Sequence, residues 1–135
     1  MYVYRNLNPY NKHVGDCVIR AIANTMEADW VDVYDDITRL GKILKDMPSS
    51  NHVWGIYLKN NGYRKHIIPN TCPDCYSVKD FCKDNPVGTF VLGFGGHVAT
   101  VKNGKIYDSW NSSNEIPIYI WYKKDHPPFK DGGSI

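Results

Sequence analysis

His97-Val98-Ala99-Thr100-Val101-Lys102-Asn103-Gly104-Lys105-Ile106-Tyr107-Asp108-Ser109-Trp110 decides the fold. Two strand-like runs flank Asn103-Gly104, the dipeptide best suited to a two-residue hairpin turn, whose central residues both need positive φ. Such a turn fixes the register. Lys102 stands opposite Lys105, Val101 opposite Ile106, Ala99 opposite Asp108 and His97 opposite Trp110. Alternation then predicts His97, Ala99, Val101, Ile106, Asp108 and Trp110 on one face. His97 and Asp108 are diagonal neighbours there, roughly 7–8 Å apart at the backbone and within side-chain reach. Ala99 leaves room for them to meet, and Trp110 stands where its ring would shield the pair from water.

Upstream of the hairpin, Thr89-Phe90-Val91-Leu92-Gly93-Phe94 reads as a strand. Downstream, residues 116–122 read as another, and Pro117 near its start marks an edge strand. Residues 63–68 form a further short strand. The N-terminal half has helical periodicity instead. Residues 1–15, rich in Asn with Pro9 and Gly15, read as an extended or looped lead-in. A buried helix runs over residues 17–26 with Asp16 as N-cap. Asp29 caps an amphipathic helix carrying Trp30, Val33, Tyr34, Ile37, Leu40 and Leu44. A third helix, over about residues 52–60, starts at Ser50 or Asn51 and ends at Gly62. Ser77 opens a short fourth helix through Lys83. Helices first and an antiparallel sheet after give an α+β fold: one domain over 1–122 and a loose C-terminal tail over 123–135.

Cys17 follows a Gly-Asp pair and opens the first helix. The unpaired N–H groups and positive field at a helix start favour thiolate, the nucleophilic form. Taken singly, Cys17 reads as a buried structural cysteine, His97 as a strand histidine and Asp108 as a strand-end acid. Together they make a Cys–His–Asp set: the imidazole takes the thiol proton and the carboxylate orients the imidazole. Oxyanion stabilisation needs donors as well. The Cys17 backbone N–H is one, and Asn11 is the best upstream side-chain candidate, ahead of Asn8.

Gly15-Asp16-Cys17 at the head of a buried helix, Asn11 upstream of it, Gly96-His97-Val98-Ala99 opening a strand, and Asp108-Ser109-Trp110-Asn111 together resemble the papain-like cysteine peptidases. The compact members, such as bacteriocin-leader peptidases, Josephin-type domains and small bacterial or phage proteins, are the nearest in size. The resemblance implies a papain-like α+β fold whose nucleophile helix packs on the C-terminal sheet. It also implies thiol hydrolase activity, as a peptidase or isopeptidase: Cys17 as nucleophile, His97 as base, Asp108 as orienter, no cofactor, and a protein or peptide substrate. Asn11 stands where the family commonly has Gln. Transglutaminase, deamidase or acyltransferase chemistry uses the same triad. An inactive papain-like module that binds a partner protein is the alternative outside enzymes.

The remaining composition narrows the setting. The chain has 135 residues with formal net charge +2 and scattered lysines, so no basic stripe argues for nucleic acid. No apolar run approaches the roughly 18 residues that span a bilayer. The first residues lack a signal-peptide layout, which predicts a cytoplasmic protein with Cys17, Cys72, Cys75 and Cys82 reduced. His66, Cys72, Cys75 and Cys82 form a weak zinc candidate with only one close-spaced couple. The expectation is no metal and a simple turn at Cys72-Pro73-Asp74-Cys75.

Overall fold

The structure, a computed structural model, describes residues 1–69 and 72–128. Its order is β1 (Tyr2–Tyr4), α1 (Cys17–Met26), α2 (Trp30–Leu44), α3 (Asn51–Asn60), β2 (Tyr63–Ile67), α4 (Val78–Asp84), β3 (Thr89–Phe94), β4 (His97–Lys102), β5 (Lys105–Asp108) and β6 (Tyr119–Lys123). Local chemistry accounts for most boundaries. Asp29 accepts the Val31 N–H at the start of α2, and Ser50 accepts that of His52 at the start of α3. Ser77 and Asp80 form a reciprocal capping box on α4. Asn103 and Gly104 take φ 49° and 75°, the turn that dipeptide favours.

The hairpin register is the expected one: Lys102 pairs with Lys105, Val101 with Ile106, and Thr100 with Tyr107. β5 nevertheless stops at Asp108, and Ser109-Trp110 bend out of the ladder. The six strands form one sheet in the order β1-β5-β4-β3-β6-β2. Two expectations are corrected here. The lead-in holds a strand, and β1 joins β5 in parallel, so the sheet is mixed rather than antiparallel throughout. β6 is interior, between β3 and β2, because Pro117 precedes the ladder and its missing donor costs nothing there. The strand also runs through Lys123, and the Lys124 N–H bonds to the Gly62 carbonyl. Of the expected tail, Lys123 thus belongs to β6, and residues 129–135 lie outside the described residues.

Both sheet faces are covered. On one, Ala21, Ile22 and Ala23 of α1, with Val33, Ile37, Val53 and Leu58, pack on Val91, Val98, Tyr119 and Trp121. On the other, Val78, Phe81 and Cys82 of α4 pack on Phe90, Leu92, Ala99, Val101, Ile106 and Ile120. The face carrying Ala99, Val101 and Ile106 thus meets α4, while α1 lies against Val98 and Thr100. Thr100 Oγ1 donates to the Ala21 carbonyl at 2.8 Å and pairs with Thr25 Oγ1 at 3.0 Å. His97 and Asp108 meet α1 because they end their strands. His97 is the first residue of β4 and Asp108 the last of β5.

Gly93 sits directly under its cross-strand partner Tyr119, whose ring occupies the space of any Cβ at that position. Gly93→Ala must displace that ring. It is expected to lower stability by about 1–3 kcal/mol, measured as a shift in the urea midpoint at unchanged m-value.

Candidate active site

Asp16 is buried and holds the N-cap position of α1, where its carbonyl accepts the Arg20 N–H, but its side chain does not cap the helix. Its φ and ψ are −108° and 22°, and its side chain makes no capping bond. Stronger partners take the carboxylate instead. Arg20 Nε donates to Oδ1 at 2.8 Å, while Asn8 Nδ2 and Trp30 Nε1 donate to Oδ2 at 3.2 and 3.0 Å. Arg20 extends the network to the sheet, donating through Nη1 to Asp108 Oδ1 at 3.3 Å and to Ser109 Oγ at 3.1 Å.

His97 Nε2 and Asp108 Oδ2 lie 2.6 Å apart. Ser112 Oγ also donates to Oδ2, and the Ser109 N–H to Oδ1, at 2.9 and 2.7 Å. Asp108 is thus held by four groups and almost fully buried. With Nε2 engaged, His97 has Nδ1 for its other partner, the thiol of Cys17, which also takes a bond from the Val98 backbone N–H. The His97 ring contacts Phe94 and Trp110, with centroids 5.2 and 4.9 Å away. Trp110 is 43 % exposed, while the His97 side chain is only 13 % exposed, so Trp110 takes the solvent position over the imidazole.

These contacts set the proton equilibria. Burial alone would push the Cys17 thiol up. The bonds from His97 and the Val98 N–H, with the charges of His97 and Arg20, outweigh burial and hold the thiol below its ordinary value. Burial alone would likewise drive His97 down. Its bonds to Asp108 and Cys17, and their negative charge, raise it to about 9. Asp108 is buried, which raises a carboxyl, but hydrogen bonding and charge from His97, with Ser112 and Ser109, keep it below the usual range. Both shifts favour the thiolate–imidazolium pair over the neutral thiol and imidazole.

Cys17 and His97 border an open cleft of about 300 Å³, with Gly96, Ser49, Asn51 and Tyr119 also on its walls. Burial, together with any charge on Cys17, pushes the Tyr119 phenol up to about 12. Asn11 does not join the site. It is exposed, has φ 55°, accepts from the Tyr4 hydroxyl, and borders neither cavity that Cys17 borders. The reason is the turn that Asn8 builds. Its Oδ1 accepts the Tyr10 and Lys12 N–H groups, its carbonyl accepts that of Asn11, and its Nδ2 serves Asp16.

The zinc candidate does not assemble. Cys72 and Cys75 form a disulfide, which also corrects the expectation of four reduced thiols. The turn between them brings the two together. Cys82 is free and packs in the α4 core. Among the described residues no cluster of His, Cys, Asp and Glu converges as a metal site, and no helix is long and apolar enough to cross a membrane. Arg20 was missed from the sequence, although its i,i+4 spacing from Asp16 was a usable signal.

Comparison with known protein families, with curated protein sequences and with solved structures gives no match.

Arg20 is only 11 % exposed at its side chain and faces two buried carboxylates. Arg20→Met removes the shared cation from both and is expected to cost roughly 3 kcal/mol in urea unfolding. It should also raise the pH at which Cys17 becomes alkylatable. Arg20→Lys, a point charge without the fork, should recover only part of either effect.

Proposed function

We propose that this protein is a papain-like thiol hydrolase, a peptidase or isopeptidase acting on a protein or peptide substrate in the cytoplasm. The observation that carries this reading is the chain of contacts from the Cys17 thiol through His97 to Asp108 at the edge of an open cleft. Cys17 Sγ attacks the substrate carbonyl carbon as thiolate. His97 holds the displaced proton on Nδ1 and delivers it to the leaving amine when the tetrahedral intermediate collapses to the thioester. It then takes a proton from the water that hydrolyses the thioester. Asp108 keeps Nε2 occupied and the ring oriented. The Cys17 N–H at the uncapped start of α1 stabilises the oxyanion. Asn51 is the amide side chain bordering the cleft, and it takes the second donor position that the sequence offered to Asn11. Ser112 and Ser109 hold Asp108. The fold suits the reading, with the thiol on a helix start, His97 on a strand end in contact with it, and Asp108 on the neighbouring strand end behind His97.

Cys17 at pH 6.5 should react with iodoacetamide at least about tenfold faster than glutathione, and His97→Ala should remove the excess. Equal rates for Cys17 and glutathione, unchanged in His97→Ala, would overturn the reading. Peptide hydrolysis should fall by about 10²–10⁴-fold in His97→Ala and Asp108→Ala.

The pH dependence follows from the signs. Activity rises as the lowered Cys17 thiol ionises and falls as His97 loses its proton at about 9. Folding stability is linked to the same proton. The folded state holds it more tightly than a free histidine does. This contribution is complete below the ordinary value of 6.5 and is lost as pH rises through about 9. The lowered Cys17 thiol contributes with the opposite sign, so the loss is read in Cys17→Ser, whose urea stability should fall from pH 6 to 10, against a flatter profile in the Cys17→Ser, His97→Gln double variant.

A further inference from the structure

Beyond Asn51 the Cys17 cleft gives onto a separate recess of about 370 Å³, between α3 and the β2 edge of the sheet. Two contacts join them. Asn51 borders both, and Lys65 Nζ lies 4.5 Å from the ring centroid of Tyr119, which walls the cleft. The rim of the recess is basic. Lys59 comes from the last turn of α3, and Arg64 and Lys65 come from β2 across the turn at Gly62. All three are exposed. No carboxylate lines the recess, and among the described residues none of the three has an ion-pair partner. Arg20, Arg39 and Lys102, by contrast, each face a carboxylate. Like charges gathered without a counter-charge raise the local potential and call for an anion. The net charge of the whole chain is only +2, so this field is local to the recess.

The shape of the site favours an acidic peptide over a nucleic acid as the source of that anion. A nucleic-acid backbone calls for cations strung along a surface to follow its phosphates. Here they ring one concave site whose interior is buried Trp121, Gly55 and half-buried Ile56, and it adjoins the thiol cleft. Helix α3 measures the separation. Asn51 borders the cleft, and Lys59 lies eight residues further along the helix, about 12 Å at roughly 1.5 Å per residue. An extended peptide covers that distance in about four residues. We infer that the recess is a docking site for an acidic segment of the polypeptide substrate, a run of Glu or Asp about four residues from the bond that Cys17 attacks. The inference rests on the thiol-hydrolase reading. It adds a charge selection made at a distance from the reacting carbonyl.

The test uses Gly-Ser peptides that carry an iodoacetyl group at one end and, about four residues away, a run of Glu, Gln or Lys. Two series place the iodoacetyl group at the N-terminal or the C-terminal end, so either chain direction is sampled. The labelling rate of Cys17 is read by peptide mapping, with free iodoacetamide as the control for thiol reactivity. In at least one series the Glu probe should outpace the Gln probe by about tenfold or more, because docking raises its effective concentration at the thiol. The Lys probe should be slowest, and added NaCl should erase the difference. Lys59→Glu with Arg64→Glu should reverse the order of the Glu and Lys probes while the iodoacetamide rate holds. Lys59→Gln with Arg64→Gln, a milder change, should level the two and keeps the test open if the reversed variant folds poorly. Equal rates for Glu and Gln probes in both series, with fast iodoacetamide labelling, overturn the docking site and leave the hydrolase reading standing. A Glu preference that survives both double variants also overturns it. A single-stranded oligothymidylate that blocks the Glu probe at lower concentration than a plain Glu peptide does, through Lys59 and Arg64, assigns the recess to nucleic acid and overturns the inference. Slow iodoacetamide labelling overturns the hydrolase reading and the substrate role with it.

Discussion

The Arg20 guanidinium holds the site together. It lies between two buried carboxylates, Asp16 at the head of α1 and Asp108 at the end of β5. Apart from the Thr100 hydroxyl, which bonds Ala21 and Thr25, and the Cys17 thiol, helix and sheet meet through apolar contacts, which fix distance but tolerate sliding. A forked cation bonded to both sides fixes register as well. Charge then alternates from one end of the site to the other: Asp16, Arg20, Asp108, His97, and Cys17 once ionised. Each interior member has opposite charge on either side, and the terminal Asp16 is further served by the Asn8 amide and the Trp30 indole. Desolvating any one of these ions alone would be costly. The alternation is what makes the set tolerable inside the fold.

The same alternation explains why burial does not silence the thiol. Burial is the largest single influence on Cys17, His97 and Asp108, and in each case it opposes the charged form. Neighbouring charges and hydrogen bonds reverse it in all three. The ring contacts contribute by position. Phe94 and Trp110 both pack on the imidazole with tilted planes, which limits its motion while its nitrogens engage Asp108 and Cys17.

What the sequence revealed divides along a physical line. Local rules were legible. The Asn103-Gly104 turn set the register of β4 and β5, the Asp29, Ser50 and Ser77 caps set three helix starts, and alternation separated the strands from the helices. Through the register the sequence also brought His97 to Asp108. What it missed depends on tertiary competition. Asp16 has the chemistry of an N-cap, but a charged partner one turn on and an indole from α2 outbid the helix N–H groups. Asn11 has the right amide, but the turn closed by Asn8 points it to solvent. Tyr2-Val3-Tyr4 is too short to announce a strand, and only the open edge of β5 makes it one. The Cys72–Cys75 disulfide likewise lies outside any periodic signal.

One expectation reached the right contact by the wrong route. Alternation placed His97 and Asp108 on the face with Ala99, Val101 and Ile106, and that face packs on α4. A helix lying across it could not present Cys17 to them, because α1 covers the opposite face. The pair is reached at the margin of the sheet. β5 ends at Asp108, β4 begins at His97, and the chain bends at Ser109-Trp110. The β4–β5 ladder stops at Thr100–Tyr107, so His97 and Asp108, paired only on their outer sides with Phe94 and Tyr4, lie beyond it beside the first residue of α1. This placement also leaves both sheet faces intact as cores. The reactive groups occupy a seam where α1, the β4–β5 ends and the loop before α3 converge. A seam of that kind opens to solvent without exposing either core.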